Sequence, residues 1–156
     1  MLIEFKLNGK RVAEETLPYE TLLDFLRERM DVTSVKKGCD EGACGACTVL
    51  LNGKAVRSCL LLAAQLRECD DVLTVEGLAK PGELSPIQEA FLQKNGYQCG
   101  FCTPGMLLTT KALLDEKPHP TVQDIKDQFE GNLCRCTGYE QIIESVQRAA
   151  ELKAGR

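Results

Sequence analysis

Nine cysteines stand in this chain of 156 residues, and eight of them fall into two groups of four. The first group is Cys39, Cys44, Cys47 and Cys59, inside "GCDEGACGACTVLLNGKAVRSC". The second is Cys99, Cys102, Cys134 and Cys136. Thiolates are metal ligands and redox groups, and a density like this points to such chemistry ahead of disulfides. The odd total also fits a disulfide framework poorly.

Within the first group, three cysteines have the spacing C-x4-C-x2-C, which suits a 2Fe–2S cluster. Gly38, Gly42 and Gly45 punctuate that loop. Glycines let a backbone curl around a cluster and turn its N–H groups toward the sulfurs. Cys59 is expected on the return strand of a hairpin. The second group reads C-x2-C, a long gap, then C-x-C, and it contains a repeat. Cys102 leads into Thr103–Pro104–Gly105, and Cys136 into Thr137–Gly138–Tyr139. In both places "C-T" precedes a helical pattern, so two helix N-termini are expected to face one anionic centre. Arg135 and the pair Lys36–Lys37 are candidates for extra positive charge, against the plainer reading of solvated surface charge. Structural zinc is the main rival to iron–sulfur clusters. Zinc quartets, however, use two C-x2-4-C knuckles, and neither group matches that pattern well. Disulfides remain the third reading.

The elements that must position these thiols change character along the chain. Leu2–Leu7 alternates, Asn8–Gly9 is a hairpin turn, and Arg11–Thr16 is a return strand. Glu20–Met30 places Leu22, Phe25, Leu26 and Met30 on one helical face. A second hairpin follows the Gly38–Cys47 loop, with Thr48–Leu51, the turn Asn52–Gly53 and Ala55–Cys59. Asp71–Glu76 reads as a short strand. Residues 77–84, "GLAKPGEL", form the linker. Beyond them the pattern is helical. Ser85 to Gln88 is a capping box with Pro86 at the first helical position. Further helices are expected at Pro104–Asp115, at Thr121–Glu130 with Val122, Ile125 and Phe129 inward, and after Thr137, with Glu140 completing a capping box. The fold class is therefore α+β, with residues 1–77 and 78–156 as two domains and a four-helix bundle in the second.

Composition excludes other classes. A formal charge of -4 with scattered Lys and Arg lacks the basic stripe of a nucleic-acid surface. The longest apolar run, Leu60–Leu62 with Ala63–Ala64, is too short for a membrane span. The start, "MLIEFKLNGK", reads as a strand and not as a signal peptide, which points to the cytoplasm.

With both groups in view, the chain closely resembles the small iron–sulfur subunit of the xanthine oxidase family of molybdenum hydroxylases. The residues that carry the resemblance are "GCDEGACGACTVLLNG" (38–53), "QCGFCTPGM" (98–106) and "GNLCRCTGY" (131–139). The resemblance implies a plant-ferredoxin-like β-grasp domain to residue 77, a helical second domain, and one 2Fe–2S cluster in each. It implies a proximal cluster on Cys99, Cys102, Cys134 and Cys136, and a distal one on Cys39, Cys44, Cys47 and Cys59. It brings Gln98 and Cys136 to the pterin. The implied partners are a large subunit with molybdenum–molybdopterin and a medium subunit with FAD. The chain itself would do no bond chemistry, and substrate contacts would lie in the large subunit. A stand-alone two-cluster electron carrier is the alternative.

Several residues have plainer readings. Cys69 belongs to neither group and reads as a small free thiol. His119, in "KPHPT", is expected to be an exposed loop residue. Tyr97, Phe101 and Tyr139 flank ligands and are expected to shield them by packing. Met106 is expected in the core.

Overall fold

The computed structural model describes residues 1–155. Its architecture is mixed α+β, with a five-stranded sheet and five helices. Strands β1 (Leu2–Leu7) and β2 (Lys10–Glu15) pair antiparallel across Asn8–Gly9. Both turn residues have positive φ, 52° and 77°, as a two-residue hairpin turn requires. β3 (Thr48–Leu51) and β4 (Lys54–Arg57) form the second hairpin over Asn52–Gly53. β5 (Asp71–Leu73) lies between the hairpins, parallel to β1 and antiparallel to β3. The order across the sheet is β2-β1-β5-β3-β4.

Several expected elements are shorter than their sequence patterns, two of them in ways that shape the first core. The helix expected over Glu20–Met30 is a short α1 (Leu22–Asp24) running into a wide turn at Phe25–Arg29. There the Met30 N–H reaches back to the Phe25 carbonyl at 3.2 Å. Leu22, Leu23, Phe25 and Leu26 are all fully buried, and the wide turn carries them all inward. The strand expected to reach Glu76 stops at Leu73. Thr74 is buried, its N–H donates to Asn8 Oδ1 at 2.8 Å, and the chain then turns through Val75–Gly77.

One face of the sheet covers a core of Ile3, Phe5, Leu22, Phe25, Leu26, Val49 and Val72. Phe5 and Phe25 meet edge-on with centroids 6.0 Å apart. β3 is buried on both faces. Val49 joins this core, so Thr48 and Leu50 lie on the opposite face, where α3 packs.

The rest of the chain is helical, with α2 (Pro86–Gln93), α3 (Thr103–Glu116), α4 (Val122–Gln128) and α5 (Glu140–Ala154). The capping box at Ser85 forms as expected: its hydroxyl accepts from the Gln88 N–H at 3.3 Å, and Gln88 Oε1 accepts from the Ser85 N–H at 2.9 Å. A second core gathers Ile87, Phe91, Met106, Leu114, Ile125, Ile142 and Val146. Val122, expected inward, is 41% exposed, because α4 turns Ile125 and Phe129 to the core and leaves its first residue at the rim. Among the described residues, no helix is long and apolar enough to cross a membrane.

Candidate metal centre

The structure brings each sequence quartet together. In the first, Cys47 and Cys59 stand with sulfurs 3.4 Å apart, and the Cys39 and Cys44 thiols are hydrogen-bonded. In the second, Cys99 and Cys136 stand 3.5 Å apart, and Cys102 is hydrogen-bonded to Cys134. A disulfide needs sulfurs about 2.05 Å apart, and all nine cysteines are free. Among the described residues, no three Cys, His, Asp or Glu side chains converge as they would on a single metal ion. The thiols are held as two pairs in each site.

The first loop is built to solvate sulfur with main chain. Cys39 Sγ accepts from the N–H groups of Ala43 (3.2 Å), Cys44 (3.3 Å) and Glu41 (3.4 Å), and Cys44 Sγ accepts from Ala46 (3.5 Å). The Glu41 N–H leads in pulling the Cys39 thiol down to about 7. Burial pushes Cys59 up to about 11. The loop is also a cradle that a side chain would fill: a Cβ on Gly38 would stand 2.8 Å from Cys44 Sγ, and one on Gly42 would collide with Leu60. Cys59 itself differs from expectation. β4 ends at Arg57, and Cys59 sits in the short turn Ser58–Leu60, because the buried Ser58 hydroxyl donates to the Cys47 carbonyl at 2.7 Å and pulls the chain out of the ladder.

In the second site, Cys102 stands at the N-terminus of α3, as the repeat predicts, without a side-chain capping bond. Burial pushes its thiol up to about 12. The expected cap at Thr137 is a misreading. α5 begins at Glu140 after Tyr139, whose φ is 72°, and no side chain caps it. The Thr137 hydroxyl lies 3.2 Å from Cys134 Sγ and accepts from the Tyr139 N–H at 3.2 Å, so it serves the sulfur and not the helix. Burial works against ionisation of Cys134, yet hydrogen bonds from the Thr137 hydroxyl and N–H, the Cys136 N–H and Cys102 together outweigh it and its pKa is lowered. The Cys99 thiol leads in raising that of Cys136. Beside Cys102, the buried Thr103 hydroxyl has no hydrogen-bond partner among the described residues.

Cys99 and Cys136 are exposed, in a cavity of about 450 Å³ lined also by Phe101, Leu133, Arg135 and Tyr139. Gln98 Nε2 donates to the Cys136 carbonyl at 3.2 Å, so the structure brings these two predicted residues together at the surface. Phe101 and Tyr97 are 47% and 40% exposed. Phe101 lines the cavity without sealing it. Tyr139 does more than pack: its hydroxyl accepts from the Cys134 N–H at 3.0 Å and donates to the Asn132 carbonyl at 3.1 Å. Arg135 lines the cavity, whereas Lys37 is paired with Asp24 (2.9 Å) and Asp40 (3.2 Å) and Lys36 with the Thr33 carbonyl. Cys69 and His119 are exposed and lie outside both quartets, and Met106 is in the core.

Two family models match the chain: a 2Fe-2S iron-sulfur cluster binding domain over residues 5–74, and a [2Fe-2S] binding domain over residues 74–147. The nicotinate dehydrogenase small FeS subunit of Eubacterium barkeri is 50% identical over 96% of this chain and 94% of its own length. A probable xanthine dehydrogenase subunit of Bacillus subtilis is 43% identical over 96% of this chain and 86% of its own. The chain belongs to the small iron–sulfur subunits of the xanthine oxidase family. A crystal structure of quinoline 2-oxidoreductase from Pseudomonas putida superposes on this iron–sulfur subunit with a TM-score of 0.94. That match has 42% identity and covers 99% of this chain and 97% of the other. The iron–sulfur subunit is thus an electron-transfer component of a multi-subunit oxidoreductase, and relatives such as the nicotinate dehydrogenase and nicotine 6-hydroxylase proteins are named as small subunits.

Proposed function

We propose that the subunit conducts electrons between a molybdopterin-bearing large subunit and an FAD-bearing medium subunit in the cytoplasm, with two 2Fe–2S clusters as its cofactors. Residues 1–77 form a ferredoxin-like β-grasp domain, and residues 78–156 a helical bundle. Cys39, Cys44, Cys47 and Cys59 hold one cluster; Cys99, Cys102, Cys134 and Cys136 hold the other. Nine free cysteines suit a reducing compartment. The residues fit the cofactor: each site offers two pairs of thiols, and the first wraps one sulfur in three N–H groups. When bound, a 2Fe–2S cluster supplies a one-electron redox couple.

The protein's own work is to hold, tune and connect. Main-chain N–H groups at Cys39 and the Thr137 hydroxyl at Cys134 stabilise negative charge on sulfur and so bear on potential. The observation that carries the proposal is the asymmetry of exposure: Cys47 and Cys59 are buried, whereas Cys99 and Cys136 open to the surface beside Gln98, Phe101 and Leu133. A free carrier has no need of an apolar, half-open rim around one site, and a partner that places its pterin there does. Gln98 is assigned to bind that pterin together with Cys136. The test is Cys136→Ser in the assembled enzyme. The second-site signal should be lost, the first-site signal kept, and acceptor-linked turnover abolished, with molybdenum and flavin co-purifying. Full acceptor-linked activity in that variant would overturn the assignment.

A further inference from the structure

The two thiol quartets are joined by a short bridge of main chain. The Leu133 N–H donates to the Cys44 carbonyl at 2.9 Å. Leu133 precedes Cys134, so covalent bonds and one hydrogen bond connect the Cys134 sulfur to the Cys44 sulfur. A polar clamp surrounds that bond. Asn132 is 3% exposed, and its Nδ2 donates to the Gly45 carbonyl and to Thr48 Oγ1, both at 3.4 Å. Its Oδ1 accepts from Thr109 of α3 and from Arg57 of β4, both at 3.3 Å. Arg57 also donates to Thr48 Oγ1 at 2.9 Å and to the Gly131 carbonyl at 3.0 Å. Glycines let the two loops touch: a Cβ on Gly45 would collide with the Gly131 carbonyl, and one on Gly105 would stand 2.5 Å from the Gly45 carbonyl.

None of these side-chain bonds of Arg57 and Asn132 reaches a sulfur. Four of them, Arg57 to Gly131 and Asn132 and Asn132 to Gly45 and Thr48, tie the segment around Cys44 to the segment around Cys134; the bonds of Arg57 to Thr48 and of Asn132 to Thr109 anchor Arg57 and Asn132 within their own halves. A buried amide and a forked guanidinium, each anchored on its own side and bonded across the seam, fix its spacing more tightly than apolar packing would. We propose that Arg57 and Asn132 are positioning residues that hold the Leu133–Cys44 hydrogen bond, and thereby set how fast an electron crosses between the two cluster sites. The proposal rests on the two-cluster reading above. In the crossing, one electron leaves the centre of one quartet and reduces that of the other, with no proton moved.

The test uses the full chain isolated with both clusters, as wild type, Arg57→Met, Asn132→Ala and Arg57→Lys. Iron and acid-labile sulfide first establish two clusters; a wild type with a single cluster overturns the two-cluster reading and this proposal with it. Two readouts follow: the magnetic splitting between the two reduced clusters in electron paramagnetic resonance, and hydrogen exchange of the peptide containing Leu133. In Arg57→Met and Asn132→Ala, each cluster keeps its own g-values, the mutual splitting shrinks or broadens, and the Leu133 amide exchanges about tenfold faster. Arg57→Lys keeps the charge but loses the fork, and it falls between. Wild-type splitting and exchange in both truncations overturn the proposal. So does loss of one cluster's own signal with the bridge amide still protected, since that is a purely structural role.

Discussion

At the scale of single residues, several of the thiols are chemically unlike one another because their surroundings are. Cys39 is pulled to about 7 by the N–H groups that converge on it, beginning with that of Glu41. Burial holds Cys102 up at about 12 and Cys59 at about 11. Cys69 is exposed and far from both quartets in role. The sign is simple: a lowered pKa means thiolate at lower pH, and the thiolate is the nucleophile. If both clusters sit on the proposed ligands, eight sulfurs are ligated, and iodoacetamide at neutral pH should alkylate Cys69 alone. In the cluster-free chain near pH 7, Cys39 should join it first and Cys102 should resist. Peptide mass spectrometry reads the order. Protection of Cys69 in the loaded chain, or modification of Cys102 ahead of Cys39 in the cluster-free chain, would contradict this account.

At the scale of elements, two glycines with nearly the same backbone angle separate local strain from long-range contact. Gly45 has φ +75° and meets Gly131 and Asn132; Gly53 has φ +80° and meets nothing within 4 Å. Gly53→Ala should cost only the left-handed conformation, about 1 kcal/mol. Gly45→Ala adds a collision with a carbonyl backbone that cannot retreat without stretching the Leu133–Cys44 bond, and should cost roughly 2 kcal/mol more. Equal losses in urea denaturation would refute the seam as a close contact. The same contrast explains what could be read from the chain beforehand. The Asn–Gly hairpins and the box from Ser85 to Gln88 are local patterns, and they appear where expected; the cysteines of each quartet also come together, with Cys59 in a turn and not on the expected strand. The seam is not local. Arg57 and Asn132 are 75 residues apart, and no spacing rule marks a lone Arg or Asn as partners. The Thr137 cap failed for a related reason: a "T-x-x-E" pattern describes a helix start only if the hydroxyl has no better neighbour, and here it has Cys134. The wide turn after α1 likewise answers to the packing of Phe25 and Leu26 and not to a helical period.

At the scale of the whole molecule, the question is whether two hydrophobic cores make two independent units. One core draws on residues from Ile3 to Val72, the other on residues from Ile87 to Ala150. Their seam is extensive. β3 is covered on both faces, with Leu50 1% exposed on the side of α3, and the Asn132 network ties β3, β4, α3 and the second cysteine loop together. Separating the units would strip Leu50 and leave a buried amide unpaired, which is costly on both counts. The loaded chain should therefore unfold as one unit, with far-UV circular dichroism and cluster absorbance lost in coincident urea transitions. Leu50→Ala should lower that shared midpoint, by about 2–5 kcal/mol of stability, and move both probes together. Two separated transitions in the wild type would show that the seam is weak. A Leu50→Ala variant that shifts only one probe would place Leu50 inside one core and not between the two.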